Sequence, residues 1–319
     1  MAASRVIGID LGGTKLLAGV IDEEGVVVRR TVRPTDRDSE GDLLAALEDA
    51  IAEFAGEDIG AIGVGIPSTI DQRVGRAVAS VNIPMSDVDL REYLRDRFGV
   101  PAAIENDANA AALAEHRYGA GRGTRHMVMI TLGTGVGGGL ILDGQLYRGA
   151  VGAAGELGHI TLEIGGPPCF GACPGRGHLE ALASGTAADH LARELAASHP
   201  QGDLGRAAAA GRDVDARLAV DLAGEGSSEA RTLLEQVGVR LGEGIASLVN
   251  VFNPEVVVLG GGFARAGELL SAPARRVVAE RALLPARDLV RIVPALLGPE
   301  AGLIGAGLVG FEALDASRA

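Results

Sequence analysis

The sequence predicts an α/β protein built from two related domains, and three observations carry that prediction. The first is an internal repeat: "VIGIDLGGTKLLAGVID" at residues 6–22 is matched by "MVMITLGTGVGGGLILD" at residues 127–143. Both copies run apolar strand, Leu-Gly, small polar turn, apolar strand and aspartate. The pairs Leu11-Gly12 and Leu132-Gly133 align, as do Asp22 and Asp143. The second observation is that three apolar strands each run into a glycine turn. The third is that long Ala-rich segments with helical character separate the strand-like runs. A chain of 319 residues suits two domains with substantial cores. With no tryptophan and 3% aromatic residues those cores must be aliphatic. The 48 glycines show no collagen-like period and cluster beside apolar segments, as tight turns and close backbone approaches do.

In chain order, residues 6–22 form the first β-meander, completed by the β-like run "GVVVRRTV". Residues 41–55 have the pattern of an amphipathic helix, and "IGAIGVGIP" at 59–67 that of a buried strand. Residues 87–98 are expected to be helical. "AAIENDANAAALAEHRYG" passes from a strand into a helix starting near Asp107. The second meander, 127–143, closes with "GQLYRG". Residues 185–250 are mostly helical around a polar break at 198–214. "PEVVVLGGGFARAGELL" at 254–270 is a buried strand, a glycine turn and a helix, and an apolar helix over 301–314 closes the chain.

Two tempting motifs fail on context. Gly133, Gly135 and Gly138 have dinucleotide-fingerprint spacing, but "GLILDGQLY" follows them as a strand hairpin where that motif needs a helix. Gly8 to Gly13 has P-loop spacing, yet Thr14-Lys15 comes in the wrong order with no helix behind it.

The net charge of −13 argues against a sequence-independent nucleic-acid binder, which needs a basic face. The N-terminal apolar run meets Asp10 early, unlike a signal peptide. The uncharged stretch 127–142 is glycine-broken and too short to span a bilayer. A cytoplasmic protein with no membrane or nucleic-acid partner is expected, and in that compartment disulfides rarely persist. Both cysteines lie in "PPCFGACPGRGHLE", residues 167–180. A disulfide, a metal site and idle thiols are all open on the residues alone.

The three turns are Gly12-Gly13-Thr14-Lys15, Gly133-Thr134-Gly135 and Gly260-Gly261-Gly262. Small turns expose backbone N–H groups and hydroxyls add donors, which suits phosphate oxygens. Together with "ENDANAAALAE", "GELGHI" and the Cys…Cys…"GHLEALASG" run, they resemble the ROK sugar kinases of the actin–hexokinase fold, in family order from residue 6 to about 307.

The resemblance implies two actin/hexokinase-like (RNase H-like) domains with an interdomain active-site cleft. The small N-terminal domain would be 1–115 plus 301–319, and the large C-terminal domain, carrying a zinc loop, 116–300. It implies ATP-dependent phosphorylation of a hexose, typically glucose at O6, with Mg²⁺. Asp107 would be the general base, although bare of the motif an aspartate before "ANAAALAE" is a favoured helix N-cap. Asp10 would hold the Mg²⁺–phosphate complex through water. Lys15 would neutralise phosphate charge, and Gly260 to Gly262 would lie against the nucleotide, the following helix start favouring its α-phosphate. Asn82, Asn106, Asp107, Glu156, His159 and Glu180 would bind the sugar. Family members often carry zinc on one histidine and three cysteines; here the matching set is His159, Cys169, Cys173 and His178, with one thiol replaced and the Cys-x3-Cys spacing altered. Ser68 stands where glycine is frequent in the family and Met85 where an aromatic is frequent, which bears on the identity of the sugar. A homodimer or homotetramer is implied. Mannose, fructose or an N-acetylhexosamine as acceptor, polyphosphate as donor, and a non-catalytic sugar sensor are the rival readings. The DNA-binding repressors of the family carry an N-terminal winged helix, and with a first strand starting by Arg5 none is expected here.

Overall fold

The computed structural model describes residues 5–318 apart from 37, 81, 82 and 172. The chain opens with β1 (Arg5–Leu11), β2 (Lys15–Ile21) and β3 (Val27–Pro34), followed by α1 (Glu40–Ala52) and β4 (Ile59–Ile66). Then come β5 (Ser68–Asp71), β6 (Arg76–Ser80), β7 (Ser86–Val88), α2 (Leu90–Phe98), β8 (Ala102–Asn106) and α3 (Asp107–Tyr118). The second meander is β9 (Met127–Leu132), β10 (Val136–Leu142) and β11 (Gln145–Leu146). Helices α4 (Leu179–Ala183), α5 (Gly185–Ser198), α6 (Asp203–Ala209), α7 (Ala216–Gly224) and α8 (Ser228–Phe252) precede β12 (Val256–Gly260). The chain ends with α9 (Glu268–Arg281), α10 (Ala286–Leu289), β13 (Arg291–Pro294) and α11 (Ala301–Arg318).

Two five-stranded sheets share one plan, β3-β2-β1-β4-β8 and β11-β10-β9-β12-β13, with β5-β6-β7 a smaller third sheet. In the first, β1 pairs antiparallel with β2 and parallel with β4, and β4 pairs parallel with β8. In the second, β9, β12 and β13 run parallel. The repeat seen in the sequence is therefore a repeat of topology. Strands β4 and β12 are buried along nearly their whole length, which is why they are continuous apolar runs rather than alternating ones. The matched aspartates do different work. The Asp22 carboxylate accepts the Val26 N–H at 2.8 Å in a longer loop, whereas Asp143 sits at φ 53° ahead of Gly144 at φ 80° in a two-residue turn.

The chain divides into two compact units, Met1–Gly123 with Gly139–Gly155 and Leu296–Ala319, and Thr124–Gly138 with Glu156–Ala295. The first has an aliphatic core that includes Ile9, Leu11, Leu16, Leu43, Leu47, Ile62 and Ile66. Helix α11 meets that sheet and α3 at backbone contact: a Cβ on Gly63 would come 1.8 Å from the Ala306 carbonyl oxygen, and one on Gly305 equally close to that of Ala110 in α3. In the second unit, Gly238 and Gly242 of α8 give α9 the same close approach at Pro273 and Val277. Close packing thus accounts for part of the glycine excess.

Three details differ from expectation. The helix foreseen over 87–98 begins only at Leu90, because Asp89 caps it by accepting the Glu92 N–H at 3.1 Å and residues 86–88 pair with β6. The polar break at 198–214 contains α6. After the third glycine turn comes a 3₁₀ turn, Phe263–Ala266, and α9 starts only at Glu268, so no α-helix N-terminus directly follows Gly262. Among the described residues, no helix is long and apolar enough to cross a membrane.

Candidate active site

In the first unit the candidate residues gather where parallel strands end, the edge at which open α/β sheets bind ligands. Asp10 pairs with Gly65, and Asn106 with Ile66, across β1, β4 and β8. Gly12 N–H donates to the Lys15 carbonyl at 2.9 Å, and the Thr35 hydroxyl donates to the Gly12 carbonyl at 2.6 Å, closing the first turn with Thr14 and Lys15 exposed. The half-buried Asp10 carboxyl is pushed up from 3.8 to about 6, first by desolvation and then by the negative charge of Asp107, with Lys15 opposing. Two mutually repelling carboxylates at a sheet edge suit a hard divalent cation, whose charge would relieve both causes. The carboxyl also rests against the first turn of α11, where a Cβ on Gly302 would lie 2.6 Å from Asp10 Cγ. A side chain at 302 would have to displace the Asp10 carboxylate.

Asp107 is the first residue of α3, and the cap is Asn106. Asn106 Oδ1 accepts the N–H groups of Ala108 and Asn109 at 3.0 and 3.1 Å, while Asp107 Oδ1 lies 2.8 Å from the Ala108 nitrogen. The N-cap role that composition offered to Asp107 thus falls to its neighbour. Capping engages the Asn106 oxygen, leaving its amide nitrogen as the donor for a ligand; that nitrogen is 3.5 Å from the Ser68 carbonyl. Ser68 is buried and its hydroxyl donates to the Thr69 carbonyl at 3.2 Å. Asn82 lies outside the described residues.

In the second unit the other two turns are neighbours, since Gly260 pairs with Thr131 on the adjacent strand. Gly261, at φ 87°, packs on the Leu132 carbonyl, 2.3 Å from where a Cβ would stand. The N-terminus of α5 meets the second turn: Gly185 N–H donates to the Gly133 carbonyl at 2.8 Å, and the Thr186 hydroxyl to the Thr134 carbonyl at 2.7 Å. Sequence reasoning missed Ser184 to Thr186; the signal was Ser184 three residues before Ala187, whose N–H it caps at 3.0 Å. Glu180 reaches the same turn, its Oε2 accepting the Val136 N–H at 2.9 Å, and a Cβ on Gly135 would stand 2.2 Å from that oxygen. The "GELGH" segment turns as a 3₁₀ helix over Leu157–His159, seated so closely on β10 that a Cβ on Gly158 would lie 2.1 Å from the Val136 carbonyl. Glu156, His159 and Glu180 are thereby brought to one end of β10.

The four expected metal ligands converge despite the unusual Cys-x3-Cys spacing. The ligand atoms of His159, Cys169, Cys173 and His178 all lie within 4.8 Å of one another. His159 Nδ1 is 3.4 Å from His178 Nδ1, Cys169 Sγ is 3.7 Å from His159 Nδ1, and Cys173 Sγ is 3.5 Å from His178 Nδ1. Zinc bonds of about 2.0–2.3 Å require tetrahedral edges of about 3.3–3.8 Å, which these three separations match, so the donor set suits that ion in kind and in these three edges. The backbone makes the convergence: Cys169 N–H donates to Gly175 O at 2.9 Å, folding 168–176 back on itself, and Thr161 bridges to His178. A Cβ on Gly175 would stand 2.1 Å from His178 Cε1, so this glycine leaves room for the ring. Burial, Cys173 and Glu180 push the metal-free Cys169 thiol up to about 12, so a metal ion must displace a proton to bind there. Neither cysteine is in a disulfide.

Two sheets of one plan, each opened by a meander with a glycine turn, define the two-domain actin/hexokinase-like fold. Within that fold the chain belongs to the ROK family, whose model matches residues 6–310. It is 36% identical over 312 residues to a glucokinase of Thermotoga maritima, covering 97% of this chain and 98% of that protein. A ROK glucokinase of Streptomyces griseus, crystallised with glucose and AMPPNP, superposes with a TM-score of 0.84 at 32% identity over 97% of this chain and all of the other. A ROK hexokinase of Thermus thermophilus gives 0.78 at 38% identity, covering 99% of this chain and 100% of that one.

Proposed function

We propose that this hexose kinase transfers the γ-phosphoryl group of ATP to glucose, giving glucose 6-phosphate. One observation carries the assignment of Asp107 as general base: Asn106 caps α3, so the helix does not need the Asp107 carboxylate as its cap. Asp107 accepts the proton of the attacking sugar hydroxyl, and the reaction depends otherwise on positioning and charge stabilisation. Asp10 holds the Mg²⁺–ATP substrate, with Thr14, Lys15 and the backbone of Gly12 and Gly13 on phosphate oxygens. Gly133, Thr134 and Gly135 contact phosphate oxygens, and Gly260 to Gly262 the nucleotide. Asn106, Asp107, Glu156, His159 and Glu180 bind sugar hydroxyls, where paired hydrogen bonds make the wrong epimer costly. The functional division into 1–115 with 301–319 and 116–300, a cytoplasmic location and a dimer or tetramer belong to the same reading. Relatives named glucokinase that match this chain over 93–98% of their own length support it over a sensor.

ADP release measured across a panel of hexoses, with ATP and with polyphosphate as donors, tests the assignment. Glucose with ATP is expected to give the highest kcat/KM. A higher value with mannose, fructose or N-acetylhexosamine would reassign the acceptor, and turnover with polyphosphate alone would reassign the donor.

His159, Cys169, Cys173 and His178 hold zinc in this proposal. The bound ion would supply structural cross-linking of 159–178, fixing the ring of His159 and the entry to α4 that carries Glu180. Elemental analysis of the purified protein is expected to find one zinc per chain, lost in Cys173→Ser together with several degrees of thermal stability. A content near zero with full activity after chelation would reject the site.

A further inference from the structure

Glu105, the first residue of the "ENDANAAALAE" run, and Arg148 form an ion pair beneath the start of α3. The Glu105 side chain has no solvent exposure. Its Oε1 accepts the backbone N–H of Asn106 at 2.9 Å and the Asn109 amide at 3.0 Å, and its Oε2 accepts Arg148 Nε at 2.6 Å. The other arm of Arg148 donates from Nη2 to Glu312 on α11 at 2.9 Å. Asn109 is buried as well, and its Oδ1 has no hydrogen-bond partner among the described residues. An acceptor left unsatisfied is a cost, so what Asn109 contributes here is its donor to Glu105.

The segment carrying Arg148 is itself pinned. The Val151 carbonyl accepts the Gln72 N–H at 2.8 Å, and the Gln72 side chain donates to the Ile104 carbonyl at 2.9 Å, one residue before Glu105. Gly152 lies so close to β5 that a Cβ would stand 2.7 Å from the Ile70 carbonyl. An unbroken series of hydrogen bonds therefore runs from this strap through Arg148 and Glu105 to Asn106, the cap adjoining Asp107. Buried ion pairs are weak sources of stability, because apolar replacements of similar shape are often neutral, whereas a pair held at both ends fixes geometry.

We propose that Arg148 is a positioning residue for Asp107, acting through Glu105 and the Asn106 cap. The inference rests on Asp107 being the general base. Misplacement of a reacting group by about 1 Å costs about 10²-fold in rate, so Arg148→Met is expected to lower kcat by about one to two orders of magnitude while KM for ATP stays within about twofold. Arg148→Lys, which restores the charge but not both arms, should recover part of the loss.

A purely structural pair could also reduce the rate, so the deciding readout is the double variant. If Arg148 acts through Asp107, single-turnover product formation by Asp107→Asn is not slowed further by adding Arg148→Met. A further drop of the size seen in the single variant would overturn the proposal, as would a wild-type kcat for Arg148→Met. Should Arg148→Met fail to fold, Glu105→Gln, which keeps the acceptor for Asn106 N–H, is measured against the same two outcomes. Wild-type turnover in Asp107→Asn alone would instead remove the base assignment, so the two failures are distinguishable.

Discussion

Asp107→Asn should lower turnover by about 10³-fold, within the 10²–10⁴ range that general-base removal costs, while glucose binding stays measurable. The amide is nearly isosteric and keeps an oxygen near the Ala108 N–H, 2.8 Å from Asp107 Oδ1. It cannot take a proton from the sugar hydroxyl. Because Asn106 supplies the cap, the helix should survive: the loss is that of one acidic group at a helix N-terminus, about 0.3–1 kcal/mol, partly offset by removing its repulsion of Asp10. Denaturant unfolding, glucose titration by intrinsic spectroscopy or calorimetry, and steady-state rates on one preparation separate these effects. A variant that binds glucose and turns over at the wild-type rate would remove Asp107 from the chemistry.

The second large effect belongs to Asp10. Asp10→Asn is expected to abolish activity at saturating ATP and yet to stabilise the ligand-free protein at pH 8. Asp10 has its carboxyl raised from 3.8 to about 6, so the folded state binds this proton more tightly than the unfolded state does. Its contribution to stability is fully present below about pH 4 and is lost as the pH rises through about 6. The rise corresponds to about 3 kcal/mol at 1.36 kcal/mol per pH unit, the upper limit of what the neutral amide recovers. Thermal unfolding at pH 5 and pH 8 tests this: the gain from Asp10→Asn should be large at pH 8 and shrink at pH 5. Equal midpoints for variant and wild type at both pH values would mean that Asp10 is not strained by burial and by Asp107. Such a trade of stability for function is expected where a carboxylate is held ready for a cation.

The sequence carried the plan of the molecule further than its details. A repeat of strand, glycine turn and strand was legible because its apolar runs and glycines are local, and it became two sheets of identical order. Asp107 and Asn106 were legible as a pair, but which of them caps α3 depends on side-chain torsions that one-dimensional spacing does not encode. Asn106, extended at φ −62° and ψ 142°, turns its side chain onto the helix while Asp107 is already helical. The convergence of His159 with Cys169, Cys173 and His178 depended on a backbone bridge between Pro168 and Arg176, a long-range pairing that the Cys-x3-Cys spacing alone does not encode. Glu105 and Arg148 were invisible for a different reason: they are 43 residues apart, and either alone is an ordinary charged residue. The helix expected directly after Gly262 failed because a 3₁₀ turn and Gly267, at φ 60°, intervene before α9.

Phosphorus NMR of the purified protein with Mg²⁺, ATP and glucose tests the central claim most directly. Glucose 6-phosphate and ADP should appear in equal amounts at the expense of ATP, and neither should form in Asp107→Asn on the same timescale. ATP consumption unaffected by glucose, or phosphorus recovered as inorganic phosphate in place of a sugar phosphate, would contradict it.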